Sequence, residues 1–277
     1  MPVKYLTIGD DLALHYRHAG ATTLPGVPPS FARGAPVVLL HGAGGSLGLF
    51  GGLFAALEEA HSPLALDLPG HGRSAGLTGP SSVTEAAAVV GRLLAAVAAP
   101  PAILVGHGLG GQVALRLALD RPGQVRAVLT LGASAAPAAQ ESSRAAIERE
   151  LGVLDQTVAG RLPQQFDMPV FGDAPGVDVM RVFWGEMVRT DPRVRGADFR
   201  AQLGTDLRSE LARVACPVLA LRGSADRFCS AAENAELACG VPRGRASEIE
   251  GAGHVAFLEQ PAAIVAALNE LIAAGTT

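Results

Sequence analysis

The chain has 277 residues, enough for one sizeable core with an insertion and short for two independent cores. Its 22 Lys and Arg against 26 Asp and Glu leave a net charge of −4, so there is no basic footprint for nucleic acid and no call for a strongly cationic partner. With 49% apolar and 17% charged residues the chain is not a disordered tail, and a compact domain with a small, neutral or weakly charged ligand fits better. Cys216, Cys229 and Cys239 are an odd number without paired metal spacing, which argues against structural zinc and a disulfide framework and for a reducing, cytoplasmic compartment. The opening MPVKYLTIGDD lacks the apolar stretch of a signal peptide. The most apolar window, Ala86 to Val105, is broken by Arg92 and by Pro100-Pro101, so it reads as helix, stop and strand and not as a membrane span.

In chain order, Lys4 to Ile8 and Leu12 to Arg17 are β-prone runs around Gly9-Asp10-Asp11 and predict an opening hairpin. Residues Ala19 to Gly34, rich in Pro, Gly, Ser and Thr, predict a loop. Strand and helix then alternate. Strands are expected near Pro36 to Leu40, Pro63 to Leu66, Ala102 to Val105, Val125 to Thr130, Pro217 to Leu221 and Ala246 to Ile249. Helices are expected at Leu49 to Ala60, Val83 to Ala98, Gly111 to Leu119, Ala231 to Ala238 and Pro261 to Ala273, the second opened by a capping box of Ser82 and Glu85. This alternation is the pattern of a mostly parallel sheet with helices on both faces. The rhythm breaks between residues 135 and 212, which predicts a helical cap over a core made of 1–134 and 213–277. Within that stretch Met180, Phe183, Trp184 and Met187 recur at the spacing of one helix face. A cap packs against the site it covers, so Phe183, Trp184 and Met187 are expected to line a substrate pocket.

At Gly106 to Gly111 the chain reads GHGLGG, between the apolar run Ala102 to Val105 and a helical pattern. A Gly-x-Ser-x-Gly turn at such a junction thrusts its central residue into an active site on a tight, strained bend. Here the central residue is Gly108. A side chain at that backbone angle is strained by about 1–3 kcal/mol, so glycine suits the bend once no hydroxyl is required. The scaffold is expected to persist and the covalent mechanism to be lost. Neither Ser74 nor Ser134 lies on an elbow, and Cys229 and Cys239 read as packing residues in a helix and at its end.

Four segments agree in order and spacing: VVLLHGAGG at Val37 to Gly45, LDLPGHGRS at Leu66 to Ser74, GHGLGG, and the pair LRGSAD with EGAGHVAF. Together they resemble the α/β-hydrolase superfamily over almost the whole chain, in its capped, esterase- and lactonase-like form. The resemblance implies an α/β-hydrolase fold, with an eight-stranded, mostly parallel sheet and a helical cap. It places the oxyanion-hole amides at Ala43 and Leu109, the acid of the triad at Asp226 and its histidine at His254. The order Ser…Asp…His expected of this fold becomes Gly108…Asp226…His254. His41 and His71 fall in family loops that they would orient, and His107 in a packing position facing away from the pocket mouth. No cofactor or metal is implied, nor any partner beyond a small-molecule substrate, so neither nucleic acid nor membrane is expected to bind a monomer or homodimer.

Three explanations of the glycine stand open at this stage. In the first, His254 oriented by Asp226 activates water directly on a labile ester, lactone, thioester, enamine or imine, a pattern that resembles the aminoacrylate hydrolase group, in which the elbow serine can be absent. In the second, a serine esterase, lactonase or carbon–carbon bond hydrolase has had its nucleophile exchanged for glycine by engineering. In the third, the fold serves as a lyase, cyclase, oxygenase or ligand-binding protein, although an oriented base has no use in a pure receptor.

Overall fold

The computed structural model describes residues 3–8, 12–20, 27–74, 79–161 and 169–274. In chain order its elements are β1 (Val3–Ile8), β2 (Leu12–His18), β3 (Pro36–Leu40), α1 (Gly51–Glu58), β4 (Ser62–Leu66), α2 (Val83–Ala96), β5 (Ala102–His107), α3 (Leu109–Asp120), β6 (Val125–Leu131), α4 (Glu141–Val158), α5 (Val177–Met187), α6 (Pro192–Leu203), β7 (Val218–Gly223), α7 (Ala231–Gly240), β8 (Gly244–Ile249), α8 (Ala256–Glu259) and α9 (Pro261–Ala274). The strands form one eight-stranded sheet in the order β1-β2-β4-β3-β5-β6-β7-β8. Strand β2 runs antiparallel to β1 and β4, and every later pair is parallel. The turn foreseen at Gly9-Asp10-Asp11 and part of the early loop lie outside the described residues.

Alternation along the strands explains why helices cover both faces. Val38, Leu40, Leu64, Leu66, Leu104 and Val128 point to one side and pack under α2, α3 and α7 through residues such as Val90, Leu117 and Leu237. Val37, Leu39, Ala65, Ile103, Val105 and Leu129 point to the other, against Phe54 of α1 and Leu268 of α9. With no wet face, the central strands are continuously apolar, as parallel sheets are. Ser82 caps α2 by accepting the Glu85 N–H, but the Glu85 carboxylate reaches back to the N–H and hydroxyl of Ser81, so the reciprocal half of the predicted capping box is displaced by one residue. A complete box opens α7 instead, between Ser230 and Glu233.

Helices α4, α5 and α6 lie in the crossover from β6 to β7. Ile147 and Leu154 of α4 pack on Phe199 of α6 and on Ala43, while Phe183 and Met187 of α5 join the core beside Leu49. The chain returns to the core before residue 212. Leu207 donates its N–H to the Ala135 carbonyl at 2.9 Å, and Leu207 and Leu211 pack with Val214 and Val218 beneath β7. Their apolar side chains are covered by the sheet and by α7, which is why the re-entry comes early.

Candidate active site

Strand β5 ends at His107, and α3 starts two residues later at Leu109, earlier than the periodicity suggested. Gly108 makes the bend with φ 49° and ψ −112°, in the left-handed region. A Cβ at Gly108 would lie 3.8 Å from Gln202 Nε2 and 3.9 Å from His254 Nε2, and apart from its chain neighbours it would meet no other described atom within 4 Å. The elbow is therefore shaped like that of a serine enzyme, and the place of the missing side chain is open.

The loops after β7 and β8 bring Asp226 and His254 together. His254 Nδ1 lies 2.9 Å from Asp226 Oδ2 and 3.1 Å from Oδ1. A carboxylate only accepts, so Nδ1 carries a proton, and Nε2 is the ring nitrogen turned toward Gly108. Burial opposes the Asp226 charge, but His254 together with the N–H groups of Phe228 and Cys229 more than offsets it and holds the carboxyl below the usual range. The His254 ring is clamped between Phe228, stacked at 4.6 Å between centroids, and His107 at 4.5 Å. Beneath it Gly132, with φ 57°, closes β6. A Cβ there would fall 2.7 Å from Asp226 Oδ2 and 2.8 Å from His254 Nδ1, so only glycine leaves room for the dyad.

The Ala43 N–H and the Leu109 N–H take part in no hydrogen bond among the described residues, and both residues line the same pocket as Gly108 and His254. Donors left free at one wall of a pocket, one of them at a helix start, suit developing negative charge. The Ala43 loop is fastened from the cap. Asp198 of α6, fully buried, accepts the Gly44 N–H at 2.8 Å and pairs with His71 Nε2 at 2.7 Å through the same oxygen. Burial works against a charged His71, yet Asp198 and the Pro69 carbonyl raise its pKa above the ordinary value. His41 is the opposite case: its Nδ1 donates to the Gly42 carbonyl and its Nε2 accepts the Leu68 N–H, and burial, then neighbouring His71, brings it down to about 4. One histidine is a charged tie to the cap; the other is a neutral pin within the loop.

The pocket is small, about 60 Å³, room for a few waters or a compact reacting group. A second cavity of about 220 Å³ adjoins it across Met187 and Arg195. Within the cap, Arg195 is ion-paired with Glu150 at 2.6 Å. The profile of the alpha/beta hydrolase family matches residues 37–267. The chain belongs to that family.

Among relatives of this alpha/beta hydrolase is the pimeloyl-(acyl-carrier protein) methyl ester esterase of Xanthomonas campestris pv. campestris, 33% identical over 254 residues, covering 87% of this chain and 96% of that protein. The esterase of the same description from Stenotrophomonas maltophilia is 31% identical over 253 residues, covering 87% of this chain and 94% of that protein. A hydrolase of Pseudomonas aeruginosa PA01 superposes with a TM-score of 0.75 at 26% identity over 98% of each chain. The enol-lactonase of Burkholderia xenovorans LB400 shares the fold, with a TM-score of 0.76 at 21% identity over 97% of this chain and 99% of that one.

Of the residues singled out in the sequence, Gly108, His254, Ala43, Leu109, Phe183 and Met187 share the pocket wall, and Asp226 stands behind His254. Trp184 does not; its ring faces the second cavity, because one step around α5 from Phe183 turns it outward. His107, expected to face away, packs on His254 and Phe257 and borders the pocket. Burial holds its pKa well below the ordinary value, with His254 adding to the effect, so it remains neutral. Cys229 precedes α7 instead of lying in it, and burial pushes its thiol well up, which leaves it inert. Ser134 and Ser143 border the pocket but their hydroxyls serve the Ala136 N–H and the Phe228 carbonyl, not His254. Among the described residues no group of His, Cys, Asp and Glu has metal-binding geometry, and no helix is long and apolar enough to cross a membrane.

The sequence reading missed α6. Arg195, Asp198 and Gln202 follow one another at steps of three and four, with Phe199 beside them, and all turn inward. The signal was present as polar residues at helical spacing on one face, but a polar stripe reads as the wet side of a helix unless the site beneath it is known.

Proposed function

We propose that this protein hydrolyses a small, labile ester, lactone or enamine-type substrate by direct attack of water, with His254 as general base and no covalent intermediate. The observation that carries the reading is that His254 Nε2, its other nitrogen held by Asp226, faces open space over Gly108. Water standing there gives one proton to Nε2 as its oxygen bonds to the substrate carbonyl carbon. The carbonyl oxygen takes up the negative charge against the Ala43 and Leu109 N–H groups. As the tetrahedral species of an ester or lactone collapses, the bond to the leaving oxygen breaks and the His254 proton passes to it, which returns the imidazole to its starting form; for an enamine-type substrate, reacting as its imine, water adds to the imine carbon and the proton passes to the leaving nitrogen. General base catalysis supplies about 10²–10⁴, and a serine hydrolase site without its nucleophile keeps about 10³–10⁴ over water. Such gains suffice for an activated acyl group and not for an ordinary amide. The esterases among the relatives support the substrate class.

A second reading, a serine esterase in which glycine replaces the nucleophile, is favoured by one observation: the vacant Cβ position is 3.9 Å from His254 Nε2 and unobstructed. Gly108→Ser separates the two. Under water attack, the hydroxyl takes the water's place, and turnover of the native substrate falls or stays level. Under the second reading the variant gains rapid turnover of an activated ester, by up to about 10⁶, and is labelled by a serine-directed fluorophosphonate while the parent is not. That gain, with labelling, would overturn the proposed function; parent turnover without labelling, unimproved in the folded variant, would uphold it.

A further inference from the structure

Gln202 is more than nine-tenths buried, points from α6 into the pocket, and its carboxamide makes no hydrogen bond among the described residues. The rest of the side chain is packed away, so the amide opens only toward the pocket, and what it bonds there is something other than the protein chain. Its neighbours say what that is. The Gln202 side-chain nitrogen and His254 Nε2 stand 3.8 Å and 3.9 Å from the same point, the vacant Cβ position of Gly108. An oxygen one bond length beyond that point, on the side of the two groups, comes into hydrogen-bonding range, about 2.6–3.2 Å. The fixed end of α6 keeps the amide there, since Asp198, one turn earlier on the same face, is tied to His71 and Gly44.

We infer that Gln202 holds the attacking water against His254, in the place a serine hydroxyl would take. The inference rests on the water-attack reading of the site. The two groups divide the water between them: His254 Nε2 accepts one of its hydrogens, and Gln202 fixes the other side of the oxygen, leaving a lone pair for the substrate carbonyl. The carboxamide can do this by donating N–H to the oxygen or, turned over, by accepting the second hydrogen. In a serine hydrolase the covalent bond to Cα does this positioning. Here a residue of α6 does it, so the helices over the sheet also complete the nucleophile's site.

Gln202→Leu keeps the volume and removes the polarity. In the parent background, kcat should fall about tenfold to a hundredfold with KM within about threefold. In the Gly108→Ser background, where the oxygen is attached to the backbone, the same substitution should cost less than about threefold. Gln202→Glu retains an acceptor and adds a negative charge near His254, so the acid limb of the kcat/KM profile should move to higher pH. A high-resolution crystal structure of the parent should show an ordered water bonded to both His254 Nε2 and Gln202, lost in Gln202→Leu. Absence of that water, or its persistence without Gln202, overturns the inference whatever the kinetics show, as does an equal loss in both backgrounds. A protein that binds the water through both groups yet hydrolyses no activated ester overturns the proposed function and leaves Gln202 as the anchor of the water.

Discussion

The strongest structural test compares alanine at two glycines that both have a positive φ and differ in surroundings. Gly108 and Gly132 have φ of 49° and 57°, so alanine is strained at each by about 1–3 kcal/mol. At Gly108 that is the whole cost, since apart from its chain neighbours the new methyl would meet only Gln202 at 3.8 Å and His254 at 3.9 Å among the described residues, ordinary contact distances. At Gly132 the new methyl would press on Asp226 Oδ2 at 2.7 Å, His254 Nδ1 at 2.8 Å and His254 Cε1 at 3.0 Å, far inside the about 3.5–4.0 Å at which carbon atoms attract. Overpacking adds about 1–3 kcal/mol, and the two costs together reach about 2–6 kcal/mol. For a chain of this size each kcal/mol is worth about 2–4 °C in Tm. Gly108→Ala should therefore melt a few degrees below the parent and Gly132→Ala about 5–15 °C below it. The dyad is what must move, so Gly132→Ala should also lose most hydrolysis under conditions where it is folded. Calorimetry with an activated-ester assay checks both. Equal melting temperatures for the two variants, with activity kept in Gly132→Ala, would refute the reasoning.

Other outcomes follow from the same geometry. Asp226→Asn should fold and lose about 10²–10⁴ in kcat, because the carboxamide no longer fixes the Nδ1–H tautomer; a loss under tenfold in a steady-state assay would count against the dyad. The depressed Asp226 carboxyl stabilises the fold above its ordinary value of 3.8 and loses that contribution as pH falls through its lower native value. His71, raised above 6.5, acts in the opposite sense: its contribution is full below 6.5 and fades as pH climbs through the native value. Denaturant titrations across pH should show that alkaline loss in the parent and not in Asp198→Asn, and its survival in the variant would sever His71 from Asp198. Trp184→Ala should leave kcat/KM for a short ester within about threefold and change it for longer acyl groups, since Trp184 borders only the second cavity; a selective loss on the short ester would put its ring in the main pocket.

How much of this was legible in the chain depended on whether the information was local. The strands from Pro36 to Gly223 announced themselves because burial on both faces makes each a short apolar run, and the order Gly108…Asp226…His254 could be taken from motifs that keep their own neighbours. Gly132 could not be read, because its reason for being glycine is two side chains that lie 94 and 122 positions further along the sequence. Asp198 and Gln202 were hidden for a related reason: a helix whose polar residues face inward looks inside out until its partners are known. The apolar stripe on α5 was seen, but spacing alone does not say which of Phe183 and Trp184 faces which cavity. Leu207 and Leu211, counted with the cap, were drawn back by the need of two leucines for cover.

The shared oxygen of Asp198 also bears on how such a protein could be rebuilt. Exchanging the cap for that of another member is an obvious way to change which substrates fit, and it treats the cap as a module. In this chain it is not one. Removing α6 would leave the Gly44 N–H without its acceptor and a buried imidazolium at His71 without its counter-charge, so the Ala43 loop would be disturbed by a change made for specificity alone. A transplanted cap would have to bring a carboxylate to the same spot, or His71 would have to be replaced along with it.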